Sequence, residues 1–196
     1  AVKVPRGART VLRPIQIEMP LEYVAPPEIR TVAGVFIGYL MLDALVSNQD
    51  RHDENWGLIL SSDNRLTLAP TFDHASSLGR NEQDAERLER LKTRDQGHSV
   101  ERYVERARSA LYARVGEKAL TTLVAFEEAA KLPEVREAKA YWFGRLAAVG
   151  LADFREIFEN IPVPEITEPA REFALKMLEI NRERLLRSDS RSGASV

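Results

Sequence analysis

A chain of 196 residues is long enough for one domain with its own core, and 44% apolar with 30% charged residues is ordinary globular make-up. A formal net charge of −2 offers no field to draw nucleic acid or an anionic membrane, so neither is expected as a direct partner. With no cysteine, disulfides, thiolate nucleophiles and cysteine-based zinc sites are excluded, which agrees with a cytoplasmic setting.

Five of the ten prolines fall in residues 1–27 (Pro5, Pro14, Pro20, Pro26 and Pro27), so this stretch reads as a linker of extended segments. It lacks the apolar core of a secretory signal within residues 1–10. From Glu28 to about Ser47, Ile29, Val32, Val35, Phe36, Tyr39, Leu40, Leu42, Leu45 and Val46 recur at helical spacing around most of the circumference. That pattern predicts a centrally buried helix, and its most apolar run, residues 32–42, is too short to span a bilayer. Gly34 and Gly38 inside it read as close helix packing.

Residues 48–55 are polar throughout. A strand is expected over 56–60, a turn over 61–64 and a returning strand over 66–69, ended by Pro70. Residues 71–79 form a loop holding Phe72, Asp73 and His74. Helices follow near 82–92, 99–113, 117–131, 134–148, 151–160 and 168–187, the last capped by Thr167 with Glu168 and Pro169 in its first turn. Residues 188–196 are Ser/Gly-rich and read as a disordered tail. The expected fold is mainly α with a small β-hairpin, its body over 28–187.

Asp50 and Asn55 lie five apart, a spacing that does not share a helix face, but on an irregular loop both can turn to one point. The hairpin returns the chain so that Asp73 comes beside them. Two carboxylates and an amide oxygen suit a hard cation such as Mg²⁺. In phosphoryl transfer, one such Asp takes the proton of the attacking hydroxyl while an Asn and a second Asp hold the metal against nucleotide phosphates.

The run Asn48-Gln-Asp50-Arg51-His52-Asp-Glu-Asn55-Trp-Gly, followed by Leu68-Ala-Pro-Thr-Phe72-Asp73-His-Ala-Ser-Ser77-Leu-Gly, resembles the catalytic core of HipA-like kinases. It is also similar to the Asp-Arg-His-x-x-Asn signature of phosphatidylinositol lipid kinases. The resemblance implies a kinase-like C-terminal lobe, ATP- and Mg²⁺-dependent transfer to a hydroxyl of protein Ser or Thr, and a toxin–antitoxin setting. It implies Asp50 as catalytic base, Asn55 and Asp73 as metal ligands, and Arg51 and His52 in support. Asp73 would stand where protein kinases have the Asp of Asp-Phe-Gly, although His74 follows it here. The family places a nucleotide-binding lobe before this core. Only 49 residues precede Asp50, Lys3 is the only lysine among them, and no Gly-rich phosphate loop occurs. The nucleotide lobe is therefore expected on a missing segment or a partner chain, together with the adenine-binding and phosphate-loop residues.

Neighbouring residues read more plainly. Arg51 is expected to pair with Asp73 or another nearby acid, and His52 to position the loop or contact phosphate. Asp53 and Glu54 read as solvated, and Trp56 and the Tyr141–Phe143 cluster as core. The charge-dense stretch 82–108 reads as a solvated helix face, with a substrate-facing segment as the sharper alternative and Ser99 within it. Two other functions compete. A kinase-like lobe can serve as a non-catalytic binding module. The His52-Asp53 dipeptide also suggests a metal-dependent phosphohydrolase, which needs further histidines, one of them upstream; His52, His74 and His98 are all there are. Lipid, small-molecule and protein acceptors all stay open, and an apolar face is expected where the nucleotide lobe would dock.

Overall fold

The computed structural model describes residues 25–52, 54–63, 65–114 and 117–193. Its first helix, α1 (Val32–Val46), starts where Thr31 Oγ1 accepts the Gly34 N–H at 2.9 Å. It stops at Ser47, whose left-handed φ of 53° turns the chain out of the helix. The expected all-round apolar surface is buried on all sides: Val35, Phe36, Ile37, Leu40, Met41 and Ala44 are core. A two-stranded antiparallel ribbon follows, β1 (Leu58–Leu60) with β2 (Leu66–Leu68), in the register Leu58↔Leu68. Phe36 meets Trp56 edge-on at 5.7 Å, and Tyr39 donates its hydroxyl to the Ala69 carbonyl at 3.0 Å, so α1 carries the ribbon.

Six more α-helices follow among the described residues: α2 (Asp84–Lys92), α3 (Val100–Arg106), α4 (Thr122–Ala129), α5 (Arg136–Ala148), α6 (Leu151–Glu159) and α7 (Glu168–Gly193). α1 packs on α4, α5 and α7, while α7 also touches α2, α3 and α6. α7 therefore serves two further small cores, Val100–Val104–Phe173–Met177–Ile180 on one face and Phe154–Phe158–Ala174–Leu178 on another. Thr167 caps α7 as its sequence predicts, accepting the Ala170 N–H at 3.3 Å. No described helix is long and apolar enough to cross a membrane.

Three expectations need correction. The helix predicted over 99–113 ends at Arg106, and the one over 117–131 begins only at Thr122. Between them Arg108 bridges Thr121, and Leu120 N–H reaches the Leu111 carbonyl at 2.8 Å, which tucks Leu111 into the core. This long-range pairing overrides local helix preference. The tail predicted as disordered from 188 stays helical through Gly193; Ser188 Oγ bonds the Leu185 carbonyl at 2.7 Å, and Lys139 of α5 reaches Asp189 at 3.4 Å. Of the Pro-rich linker expected over 1–27, residues 1–24 lie outside the described residues, as do residues 194–196.

Gly34 and Gly38 are packing positions, as expected. Trp142 lies against this face of α1 and donates its indole N–H to the Gly34 carbonyl at 2.8 Å. A Cβ on Gly38 would fall 2.5 Å from the Trp142 ring. Gly38→Ala should thus lower stability by about 1–3 kcal/mol, read as a lower denaturation midpoint in urea; an unchanged midpoint would show that the indole moves aside.

Candidate functional site

The site grows from the end of α1. Asp43, in its last turn, is a carboxylate only 3% exposed. Burying it is tolerable because it is paired and hydrogen-bonded. Asn48 Nδ2 donates to Asp43 Oδ1 at 2.9 Å, and the Arg51 guanidinium meets both carboxylate oxygens at 2.7 Å through Nε and Nη2. The same guanidinium, itself fully buried, donates at 2.7 Å to the Asn55 carbonyl and at 2.7 Å to Thr71 Oγ1. Arg51 thus fastens three things together: the end of α1, the 48–55 loop and the loop after the ribbon. From behind, Asn181 of α7 donates to Ser47 Oγ at 2.8 Å and to the Leu45 carbonyl at 3.0 Å.

On this base stand Asp50 and Asn55. Asn48 Oδ1 accepts the Asp50 N–H at 3.2 Å. Asn55, 4% exposed, donates its amide nitrogen to the Asp50 carbonyl at 2.8 Å and to Asp50 Oδ2 at 3.3 Å. The nitrogen is committed to Asp50, so the end a cation would use is Oδ1. The Asp50 side chain is 42% exposed, open to a reactant. His52 Nδ1 accepts the Glu54 N–H at 3.1 Å, which leaves Nε2 as the protonated nitrogen, 3.3 Å from Asp50 Oδ1. His52 therefore steadies the carboxylate from the side opposite Asn55's bond.

The second loop is bound to the first through Thr71. Its hydroxyl accepts from Arg51 and lies 3.0 Å from His74 Nε2. Burial, then the positive charge of Arg51, holds the His74 pKa below its ordinary value, the carboxylates of Asp43 and Asp73 opposing both. Its Nδ1 is 4.0 Å from Asp43 Oδ1, beyond hydrogen-bond reach, and is buried without a partner. A neutral imidazole that accepts from Thr71 fits all of this. Asp73 itself is exposed and takes a left-handed φ of 53°. That conformation is uncommon for a residue other than glycine, though Asp tolerates it better than most. Gly79 closes the loop at φ 68°, where a Cβ would overlap Phe173, and the Leu78 N–H returns to the Val46 carbonyl at 2.8 Å.

Asp50, Asn55 and His52 are thus in mutual contact, and Asp73 lies on a loop that Arg51 ties to theirs. Arg51 pairs with Asp43, not Asp73. Asp43, Asn48 and Thr71 are the residues sequence reasoning passed over. A lone carboxylate in an apolar helix, eight residues before an arginine, was the available signal. Ser99 is a helix cap, accepting the Arg102 N–H at 3.3 Å. Asp53 lies outside the described residues.

Asn55 Oδ1 and the carboxylates of Asp50 and Asp73 are hard oxygens, the donor type that Mg²⁺ takes. Among the described residues no three His, Cys, Asp or Glu side chains gather as a metal cage. His98 pairs with Glu89 on α2 at 3.4 Å.

The crystal structure of the Helicobacter pylori proinflammatory kinase CtkA aligns with 84% of this chain at a TM-score of 0.67 and 20% sequence identity. The fold is kinase-like. At that identity the likeness is one of fold, and the chain spans 54% of the length of that kinase. No family model matches the sequence, and no curated protein matches it. In the kinase-like frame Ile59 and Leu60 of the ribbon are exposed at 51% and 60%, and Phe72 of the following loop at 41%.

Proposed function

We propose that this chain is the catalytic half of a HipA-like kinase, transferring the γ-phosphoryl group of ATP to a Ser or Thr hydroxyl of a protein. The observation that carries the reading is the hydrogen-bonded Asp50–Asn55 pair, fastened by Arg51 to the loop that holds Asp73. The nucleotide lobe comes from elsewhere in the same protein or from a partner chain, in keeping with a span of 54% of the kinase neighbour.

In this scheme Asp50 takes the proton of the acceptor hydroxyl as its oxygen bonds to the γ-phosphorus and the bond to the bridging oxygen of ADP breaks. His52 and the Asn55 amide nitrogen hold that carboxylate in one orientation. Asn55 Oδ1 and the Asp73 carboxylate would hold Mg²⁺, which neutralises charge on the nucleotide phosphates when bound. Arg51, sealed from solvent with four of its N–H bonds spent on protein, positions the two loops and touches no substrate.

The direct test supplies the chain and its nucleotide lobe with γ-labelled ATP, Mg²⁺ and candidate acceptors. Label on Ser or Thr is the expected result. A reconstituted pair that never transfers label would favour the non-catalytic binding module. Asp73→Ala should weaken Mg²⁺-dependent nucleotide binding by at least about tenfold, measured with a fluorescent ATP analogue, and leave Mg²⁺-free binding unchanged. Equal losses with and without Mg²⁺ would remove Asp73 from the metal site.

A further inference from the structure

The charge-dense stretch after Asp73 does more than coat two helices. Arg90 of α2 and Arg102 and Arg106 of α3 line one cavity of about 180 Å³, completed by Tyr103, Ala107 and Gln49. Gln49 directly precedes Asp50, so their α-carbons are about 3.8 Å apart. The cavity wall and the proposed base are thus joined by a single peptide bond. Its three cations are unequally matched. Arg90 is held in place, stacked 5.0 Å from the Tyr103 ring centre, 2.9 Å from Glu82 and bonded to the His98 carbonyl at 3.3 Å. Arg102 pairs with Glu105 at 3.0 Å, an exposed pair one helical turn apart that exchanges easily with other anions. Arg106 pairs with no acid among the described residues. Three guanidinium groups against two carboxylates leave the pocket short of one anion.

We propose that this cavity receives the carboxylate of an acidic side chain on the acceptor polypeptide, a Glu or Asp within two or three residues of the hydroxyl that reacts. An extended peptide advances about 3.3 Å per residue, so a hydroxyl at Asp50 brings a side chain two or three places along to the pocket beside Gln49. The planar fork of arginine matches a carboxylate with two parallel bonds, and Arg102 can release Glu105 to form them. The inference rests on the kinase reading of Asp50 and names its acceptor class: acidic sequences around Ser or Thr.

Binding is the first test, because it needs no nucleotide lobe. Three labelled Ser peptides that differ only in flanking Glu, Gln or Lys are titrated against the 196-residue chain by fluorescence anisotropy. The Glu peptide should bind about tenfold more tightly than the Gln peptide, with Lys weakest, and the spread should shrink as salt is raised. The double variant Arg102→Gln/Arg106→Gln should flatten the ranking, and Arg102→Glu/Arg106→Glu should reverse it. Both side chains are exposed, so the fold should survive, which circular dichroism checks. Equal affinity of the three peptides for the native chain, or an unchanged ranking in the charge-reversed variant, overturns the proposal. With the nucleotide lobe present, phosphoryl transfer at equal rates to all three peptides also overturns it. Ranked binding without any transfer would instead refute the kinase reading and leave the pocket's preference standing.

Discussion

Asp50→Asn should cut phosphoryl transfer by about 10²–10⁴-fold in the protein supplied with its nucleotide lobe, and leave the thermal midpoint within a degree or two. The size follows from the role: an amide cannot take the acceptor's proton, so the reaction keeps its positioning and loses its base. The harmless effect on folding follows from the contacts. Asn55 bonds the Asp50 main-chain carbonyl, which the change leaves alone, and the new amide oxygen can still accept at the old Oδ2 position, so only the partly exposed His52 contact is lost. The side chain is 42% exposed, so no charge is stranded in the interior. Transfer rate and melting are measured on the same preparation. Retained transfer in a folded variant would refute Asp50 as the base, and a collapsed variant would show that the loop needs its charge.

Asp43→Ala should have the opposite profile, with a loss of about 3–5 kcal/mol of stability, enough to unfold a marginal domain at growth temperature. The substitution removes a side chain that is 3% exposed and strands the fully buried Arg51 guanidinium without its counter-charge. It also unties Asn48 and thereby the Asp50 N–H. Arg51→Lys should come close to it in effect, because one ammonium group cannot span Asp43, the Asn55 carbonyl and Thr71 at once. The paired change Asp43→Leu with Arg51→Met separates folding from function. An apolar pair leaves no buried charge, so much of the stability should return. Transfer should stay absent, because the Arg51 bonds that hold Thr71 and the Asn55 carbonyl together are then gone. Urea denaturation of the single and paired variants measures the first part. Recovery of transfer in the paired variant would show that Arg51 merely fills space.

The parts of the fold that the sequence announces are those governed by local pattern. α1 is legible because apolar residues circle it, and the ribbon because two short apolar runs flank a polar turn. Asp50 and Asn55 are legible as partners because loop geometry lets residues five apart converge, and here they do, at 3.3 Å. Asp43 was not legible in the same way. Its charge looks like the place where an apolar stretch ends, and only the arrival of Arg51 from eight residues later turns it into a buried ion pair. The region 107–121 misled for a related reason. Its composition continues a helix, but the Leu120 N–H bonds the Leu111 carbonyl nine residues back, where a helix would bond four back. The tail after Arg187 is rich in Ser and Gly, yet it continues α7, with Asp189 lying 3.4 Å from Lys139, fifty positions earlier.

The division of labour between Asp43–Arg51 and Asp50–Asn55 also bears on descent. Purging of unstable chains guards the buried pair, whether or not the chemistry is still wanted; nothing in the interior guards the carboxylate in front of it. A lineage that abandoned catalysis would therefore shed Asp50 first and keep Asp43 and Arg51 long afterward. Silent descendants should be recognisable by an intact foundation beneath an emptied workbench.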